Sequence, residues 1–465
     1  MLTYDLKDKN KSLYLQLYEN IKNDILISKI SSNEKLPSKR KLSNHLGIGL
    51  VTVENAYEQL IAEGYIYSIE KKGYYVSSFV QNNLQLHKNP NKEQLIKNKF
   101  NNTNYYDLKS LEVDTTFFPF SIWSKLMRQV LYEKNTKLLV KTDNFGVYEL
   151  RLAISKHLLS FHGINANAEQ IIIGAGAEYL YSMIIKLLGF ESIFALENPG
   201  YNKISKVYKS NNAKIKFVDL DNLGINVSKL GEANVVHVSP AHQFPTGILM
   251  PIKRKLQLLK WASEKENRII IEDDYDSEFR FKGIAVPSIM SVDNNENVIY
   301  LNTFSKTLAP SIRISYMVIP MRYLSLYKEK IGFFSCTVSS FEQYTLARFI
   351  QEGYFERYVN KMKNNYRKKK ELFFSLIRES KLNNISRVIY KDSGLHFLLE
   401  LDTNICDEYI LKMAYEKGVK LTCLSQYYSN ESKKKEHIIV VNFSQISVLN
   451  FEKVLRILEN ILDQE

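Results

Sequence analysis

Residues 298–319 read VIYLNTFSKTLAPSIRISYMVI. Two apolar runs, VIYLN and RISYMVI, bracket a polar loop that carries Lys306, the pattern of buried strands joined by a turn. The same kind of run recurs upstream, as IIIG ahead of a helical pattern at 177–188, then as SIFALE, NVVHVS and RIIIEDD. Buried strands separated by helical segments predict an α/β domain with a largely parallel sheet. In such sheets ligands collect in loops beyond the strand ends, and Lys306 lies in one of those loops.

A lone lysine is ordinarily a surface charge, but this one has telling neighbours. Thr303 and Ser305 offer hydroxyls, and Arg313 offers a guanidinium suited to a phosphate. A lysine among anion-binding groups suits a Schiff base with a phosphorylated aldehyde. Upstream, Asp273, Asp274, Tyr275 and Asp276 follow the run RIII. A carboxylate at a strand end pairs well with a protonated pyridine nitrogen, although a turn with acidic caps reads the same way. Gly174-Ala175-Gly176-Ala177 opens a helix, where free N–H groups and the helix dipole favour a phosphate.

The chain as a whole has 465 residues, of which 45% are apolar and only 18 are glycine and 10 proline. That length suits two or three folded domains and excludes collagen-like or low-complexity classes. Cys336, Cys406 and Cys423 are odd in number and widely spaced, with no second Cys or His at ligand spacing. Neither a disulfide framework nor a metal site is expected. The opening MLTYDLKDKNKS has no signal-peptide core, and no run approaches the roughly 18 apolar residues of a bilayer span, so a cytoplasmic protein without a membrane partner is expected. A net charge of +13 permits a polyanionic partner without proving one.

Residues 80–108 are rich in Asn and Lys and lack a sustained apolar period, which predicts a linker between a domain at 1–79 and another at 109–465. From Ser12 to Lys29, Leu13, Leu17, Ile21 and Ile25 recur every four residues, as in an amphipathic helix. Pro37 and Ser38 introduce a short helix, KRKLSNHL, that Gly47 ends. A third helix is predicted from about Val51 to Ala62, its apolar face made of Val53, Ala56, Tyr57, Leu60 and Ile61. Tyr65–Ile69 and Tyr74–Ser78 flank the basic tip Glu70-Lys71-Lys72-Gly73 and read as a β-hairpin. This is a helix-turn-helix with a wing, and Lys39, Arg40, Lys41, Lys71 and Lys72 sit where such units meet phosphates.

The segment from SLYLQLYENIK to KKGYYV, with LPSKRKLS, the TVENAYEQL helix and the AEGYI turn, resembles the winged helix-turn-helix of GntR-type bacterial transcription regulators. The resemblance implies double-stranded promoter operator DNA as partner, with Arg40 on phosphate or base and Lys71 or Lys72 along the minor groove. Gly49-Leu50 stands where the family commonly has Ser-Arg, so direct readout is expected to lean on Thr52, Glu54 and Asn55.

From about Tyr106 onward, FFPFSIWSKLMRQV, FGVYELRLAISKHL, ENPGY, SPAHQFPTGILMP, IEDDYDSEFR, TFSKTLAPSIR and SGLHF resemble fold-type I aminotransferases, specifically the aminotransferase-like half of the MocR subfamily of GntR regulators. The resemblance implies pyridoxal 5'-phosphate as cofactor and a homodimer. It makes Lys306 the Schiff-base lysine, Asp273 the pyridine-nitrogen partner and Tyr275 the donor to the ring hydroxyl. Tyr201 would stack on the ring, His242 or Gln243 would lie near the ring hydroxyl, and Gly176, Ala177, Thr303, Ser305 and Arg313 would hold the phosphate. Glu178 stands where the family often has Gln, and a carboxylate turned inward would repel the dianion, so it is expected to point away. No Arg occurs from Val388 to Leu455, where aminotransferases usually grip the substrate carboxylate; Asn442, Ser444 and Gln445 stand there instead, and Lys433–Lys435 are nearby in sequence.

The functional expectation is a regulator that senses pyridoxal phosphate or an amino acid such as γ-aminobutyrate through the aminotransferase-like domain, with at most partial transamination. The missing carboxylate Arg favours pyridoxal phosphate itself as effector. The alternatives are a working aminotransferase with an incidental N-terminal module, and a cofactor carrier with no role on DNA.

Overall fold

A computed structural model describes residues 2–6, 11–78, 105–281, 287–390, 392–430 and 434–463. The chain divides into two compact units, Met1–Asn102 and Thr103–Glu465. Most of the expected linker, residues 79–104, lies outside the described residues.

In the first unit α1 spans Leu13–Leu26, α2 Lys39–Leu46 and α3 Leu50–Ala62, followed by β1 (Ile66–Ile69) and β2 (Gly73–Val76). Ser38 caps α2 by accepting from the Lys41 N–H at 3.3 Å, and Gly47 ends it in the left-handed region at φ 66°. Leu17, Ile21 and Ile25 of α1 bury against Val53, Ala56, Tyr57 and Leu60 of α3. Two expected core positions differ: Leu13 is 43% exposed and Ile61 36%. Leu13 opens the first turn of α1, while Ile61 lies beside Leu60 in the last turn of α3 and faces outward. β1 and β2 pair antiparallel from Ile66↔Val76 to Ile69↔Gly73, leaving Glu70, Lys71 and Lys72 at the tip.

The second unit holds β3 (Tyr106–Asp107), β4 (Ile171–Gly174), β5 (Ile193–Asn198), β6 (Lys214–Asp221), β7 (Gly224–Ile225), β8 (Val235–Val238), β9 (Ile269–Asp274), β10 (Val298–Thr303), β11 (Ser315–Val318), β12 (Ser386–Ile389), β13 (His396–Leu401), β14 (Val419–Lys420) and β15 (Ile438–Asn442). Eight of these form one sheet in the order β4-β11-β10-β9-β8-β5-β6-β7. From β10 to β6 neighbours run parallel, whereas β11 is antiparallel to both β10 and β4. The sheet is buried on both faces with a period of two. Ile171 and Ile173 pack with Tyr300 on one side, while Ile172 packs with Ile299 and Leu301 on the other. A smaller sheet, β12-β13-β15, follows toward the C-terminus.

Residues 106–108, read from sequence as the end of the linker, belong to this unit. β3 pairs parallel with β14, the Leu108 N–H donates to Lys420 O at 3.0 Å, and Leu108 is 1% exposed. No helix among the described residues is long and apolar enough to cross a membrane.

The first unit has a small core, so one side chain weighs heavily. Leu60→Ala should cost about 2–5 kcal/mol, read as a lower denaturant midpoint for the transition that hydrogen exchange assigns to α1 and α3.

Candidate functional site

Beyond the carboxyl ends of β5, β8, β9 and β10 lies a cavity of about 420 Å³. Adjacent residues of a strand point to opposite faces, so Asp273 at the end of β9 faces this cavity while Asp274 faces away from it. Lys306, Asp273, Tyr275, Tyr201, Gly176, Ala177, Thr303, Ser305 and Arg313 all line the cavity.

Lys306 Nζ donates to Leu111 O at 2.6 Å. Burial pushes this amine down to about 8, against the pull of Asp276, Glu112 and Glu178 and with a push from Lys203. Asp273 Oδ2 accepts from the Tyr181 hydroxyl at 2.5 Å and lies 3.3 Å from His237 Nε2. His237 Nδ1 in turn lies 2.9 Å from the Tyr208 hydroxyl. Tyr181, His237 and Tyr208 were not read from sequence. The one usable signal was a histidine inside the apolar run NVVHVS, because a polar side chain on a fully buried strand needs a partner.

Tyr275 donates its hydroxyl to His242 O at 2.8 Å, and burial pushes the phenol well up. His242 does not reach the cavity: its Nδ1 lies 2.9 Å from Asp276 Oδ2, and Tyr275 stands on the cavity wall in its place. Gln243 is held by Pro199 O and Phe244 O, at 2.9 and 2.8 Å, and is likewise off the wall. Tyr201, 37% exposed, meets Phe244 edge-on at 5.5 Å.

At the other end of the cavity, Gly176 adopts φ 97° just before the helix Ala177–Leu188, and a Cβ there would collide with the Arg313 guanidinium. The Ser305 hydroxyl is buried without a hydrogen-bond partner among the described residues. Thr303 Oγ1 is engaged, accepting from Ser315 Oγ at 2.7 Å and from the Ser305 N–H at 3.2 Å. An orphaned hydroxyl, the open amides of a helix N-terminus and a guanidinium on one wall fit a phosphate group.

Glu178 departs from expectation. It turns toward the cavity, accepts from Arg313 Nη2 at 2.9 Å and pairs with Lys203. Burial works to raise its carboxyl, but the bonds from Lys203, its own N–H and Arg313 outweigh that and hold it at about 2. Two cations attract the carboxylate more strongly than the apolar wall repels it. A phosphate bound here would compete with this carboxylate for one guanidinium.

Asn442, Ser444 and Gln445 do not line the cavity. Ser444 donates to Glu112 O, and Gln445 Nε2 donates to Glu112 Oε2 at 3.1 Å. The cations on the wall besides Lys306 and Arg313 are Lys109 and Lys203, neither of them singled out from sequence. Lys433 lies outside the described residues.

In the first unit Arg40, Lys41, Asn55, Lys71 and Lys72 are exposed and Thr52 is half-buried. Lys39 differs from its neighbours, since its ammonium lies 3.4 Å from Glu54 Oε1 and over the Tyr74 ring. That pair also occupies Glu54, one of the expected reading residues. Leu50 opens α3 and is 37% exposed.

Residues 13–76 match the gntR family of bacterial regulatory proteins, and residues 119–457 match aminotransferase class I and II. The HTH-type transcriptional regulator YdeL of Bacillus subtilis is 36% identical over 425 residues, covering 91% of each chain. The chain belongs to the MocR subfamily of GntR-type transcription regulators. The probable rhizopine catabolism regulatory protein MocR of Rhizobium meliloti is 27% identical, covering 94% of this chain and 92% of its own. PdxR of Corynebacterium glutamicum, a pyridoxine biosynthesis transcriptional regulator, is 25% identical, covering 90% and 89%. The kynurenine aminotransferase of Pyrococcus horikoshii shares the fold of the second unit, with a TM-score of 0.69 at 24% identity over 80% of this chain and 93% of its own.

As a MocR-type regulator the chain carries a DNA-binding module and a domain of a pyridoxal-phosphate-dependent fold family. Arg40→Ala should weaken operator binding and make the slope of log K against log salt shallower by about 0.9, measured by fluorescence anisotropy across a salt series. Lys39→Ala should change the slope by less, because Glu54 already holds that ammonium. At the second site, Glu178→Gln frees the Arg313 guanidinium, so pyridoxal phosphate should bind at least about tenfold tighter in equilibrium dialysis. Pyridoxal, which has no phosphate, should show no change.

Proposed function

We propose that the protein is a cytoplasmic, homodimeric regulator that binds pyridoxal 5'-phosphate through Lys306 and responds to that cofactor on promoter DNA. The observation that carries this reading is the gathering of a lysine amine held near neutrality, a buried carboxylate and a phosphate-fitting pocket around one cavity. When bound, the cofactor supplies an aldehyde for the lysine and a pyridine ring able to accept electron density.

The chain's own groups divide the work. Burial keeps a fraction of Lys306 unprotonated at physiological pH, the form able to attack a carbonyl. Asp273, steadied by Tyr181 and His237, offers a fixed carboxylate to the pyridine nitrogen. Gly176, Ala177, Ser305 and Arg313 would hold the phosphate, in place of the Glu178 carboxylate that Arg313 now binds. Tyr201, on the cavity wall, would stack on the ring. Phe120, Tyr132, Leu139 and Val140, each more than 65% exposed, supply apolar surface in support of a dimer.

A second reading, in which an amino acid is the effector, is favoured by one feature: Lys109 and Lys203 put cations on the wall despite the missing Arg. Both are point charges rather than bidentate forks, so amino-acid binding should be weak. Footprinting of the protein on its own promoter, with and without pyridoxal phosphate, tests the main reading. A footprint that shifts with pyridoxal phosphate supports it, whereas one that responds only to an amino acid at micromolar concentration favours the second. Repeated turnover with any member of an amino-acid panel would instead favour a working aminotransferase.

The depressed amine gives a pH dependence. Attack requires unprotonated Lys306, so covalent capture of pyridoxal phosphate should accelerate as pH rises toward about 8 and level off above it. An unperturbed lysine would still be gaining rate at pH 10. Borohydride reduction followed by peptide mapping should place the adduct on Lys306. Lys306→Ala should lose the adduct but keep weaker, phosphate-dependent binding.

A further inference from the structure

Behind β9, on the face opposite the cavity, the fold assembles a second polar cluster that the cofactor reading leaves unused. His157 and His162 come from the helix Tyr148–His162, Asp274 from the end of β9, and Glu278 from the short helical turn Ser277–Phe279. One ligating atom from each of His157, His162 and Glu278 lies within 4.8 Å of the other two. A cation at the centre of a triangle that size sits about 2.8 Å from each corner, so small side-chain shifts reach the bond lengths of about 2.0–2.2 Å that zinc makes with nitrogen and carboxylate oxygen.

The hydrogen bonding points to an occupant. His162 Nε2, Asp274 Oδ1 and Glu278 Oε2 are buried without a hydrogen-bond partner among the described residues, and Asp274 is only 4% exposed. The opposite oxygens of the two carboxylates are engaged, and the other His162 nitrogen faces a carboxylate at ion-pair distance. Tyr300 donates to Asp274 Oδ2 at 2.7 Å, Asn302 Nδ2 lies 3.4 Å from Glu278 Oε1, and His162 Nδ1 faces Asp274 Oδ2 at 3.6 Å. An imidazole backed by a carboxylate on one nitrogen, with the other nitrogen free, is the usual arrangement of a metal-ligating histidine. Two imidazoles and one carboxylate form a donor set for a borderline divalent cation, with zinc foremost.

We propose that His157, His162 and Glu278 form a structural zinc site, with Asp274 orienting His162 from behind and water completing the tetrahedron. The site joins the C-terminal end of the helix Tyr148–His162 to the strand end that presents Asp273 to the cavity. It needs no cofactor and stands or falls separately from the proposed function.

The test uses the full-length chain without an affinity tag, stripped with a chelator, reloaded with zinc and assayed by elemental analysis. One zinc per chain is expected, together with a higher melting temperature than the stripped protein. X-ray absorption at the zinc edge of the wild-type protein should show two imidazoles and light oxygen donors. His162→Asn and Glu278→Gln should each lower zinc affinity tenfold or more, while His45→Asn, at an exposed histidine of the first unit, should leave it unchanged. No zinc retained, a shell containing sulfur or lacking imidazole, or unchanged affinity in a folded His162→Asn protein would overturn the site and leave buried water as the occupant of the cluster. Because the absorption spectrum is read on the wild type, a variant that fails to fold does not spare the proposal.

Discussion

Glu272, Asp273 and Asp274 end a strand that is buried on both faces, and the second unit supplies each of the three carboxylates with at least one partner. Leaving any of them unpaired inside the fold would cost several kcal/mol. Glu272 takes the Ser288 hydroxyl and the N–H groups of Ile289 and Met290, which pins the segment entering β10. Asp273 recruits Tyr181 from the helix behind the phosphate end and His237 from β8. Asp274 recruits Tyr300 from β10 and faces His162. Alternation along one strand thus sends consecutive charges to different layers, and the cavity opens where the middle one points.

The phosphate end is governed by competition rather than simple complementarity. Arg313 has an internal carboxylate partner in Glu178, and Lys203 holds that carboxylate from the other side. A phosphate dianion brings more charge and more acceptor atoms than one carboxylate, and at this site it would also gain the Ser305 hydroxyl and the helix amides. Under the proposed function, binding would amount to an exchange of anions, whose net free energy is smaller than the sum of the contacts. An exchange of this kind lets occupancy follow cofactor concentration, where an unopposed cup would stay full. A sensor gains from that, whereas an enzyme that must keep its cofactor does not.

Local signals were legible and nonlocal ones were not. Ser38 and Gly47 bound α2 because capping is a matter of a few adjacent residues, and the buried runs of β4, β5 and β8–β11 show as unbroken apolar text. β6 does not show in the sequence because KIKFVDLD alternates charge with apolar residues and is only partly buried near the sheet edge. The reversal of β11 does not show either, since periodicity carries no strand direction. Residues 106–108 looked like linker because their partner, Val419–Lys420, is more than 300 residues away. Within the cavity, the motif-bearing residues around 176, 201, 273 and 306 were readable, while Lys109, Lys203 and Tyr181 come together only through the fold. His157 and His162 stand as H-x4-H, a spacing that zinc ligands use, but no cysteine pair accompanies them and Glu278 is more than 100 residues away, so only the fold joins the three.

The absence of an Arg between 388 and 455 gains meaning from what occupies its neighbourhood. Gln445 and Ser444 are tied to Glu112, and Glu112 itself lines the cavity. That wall therefore presents a carboxylate, and a substrate α-carboxylate entering there would meet like charge. Lys109 and Lys203 offset this only in part, because Lys203 is already paired with Glu178. A neutral or cationic group is better received on that side than an α-carboxylate. The charge pattern bears differently on two properties that the proposed function keeps apart: Lys306, Asp273 and Arg313 would serve pyridoxal phosphate, whereas Glu112 would disfavour an α-carboxylate on that wall.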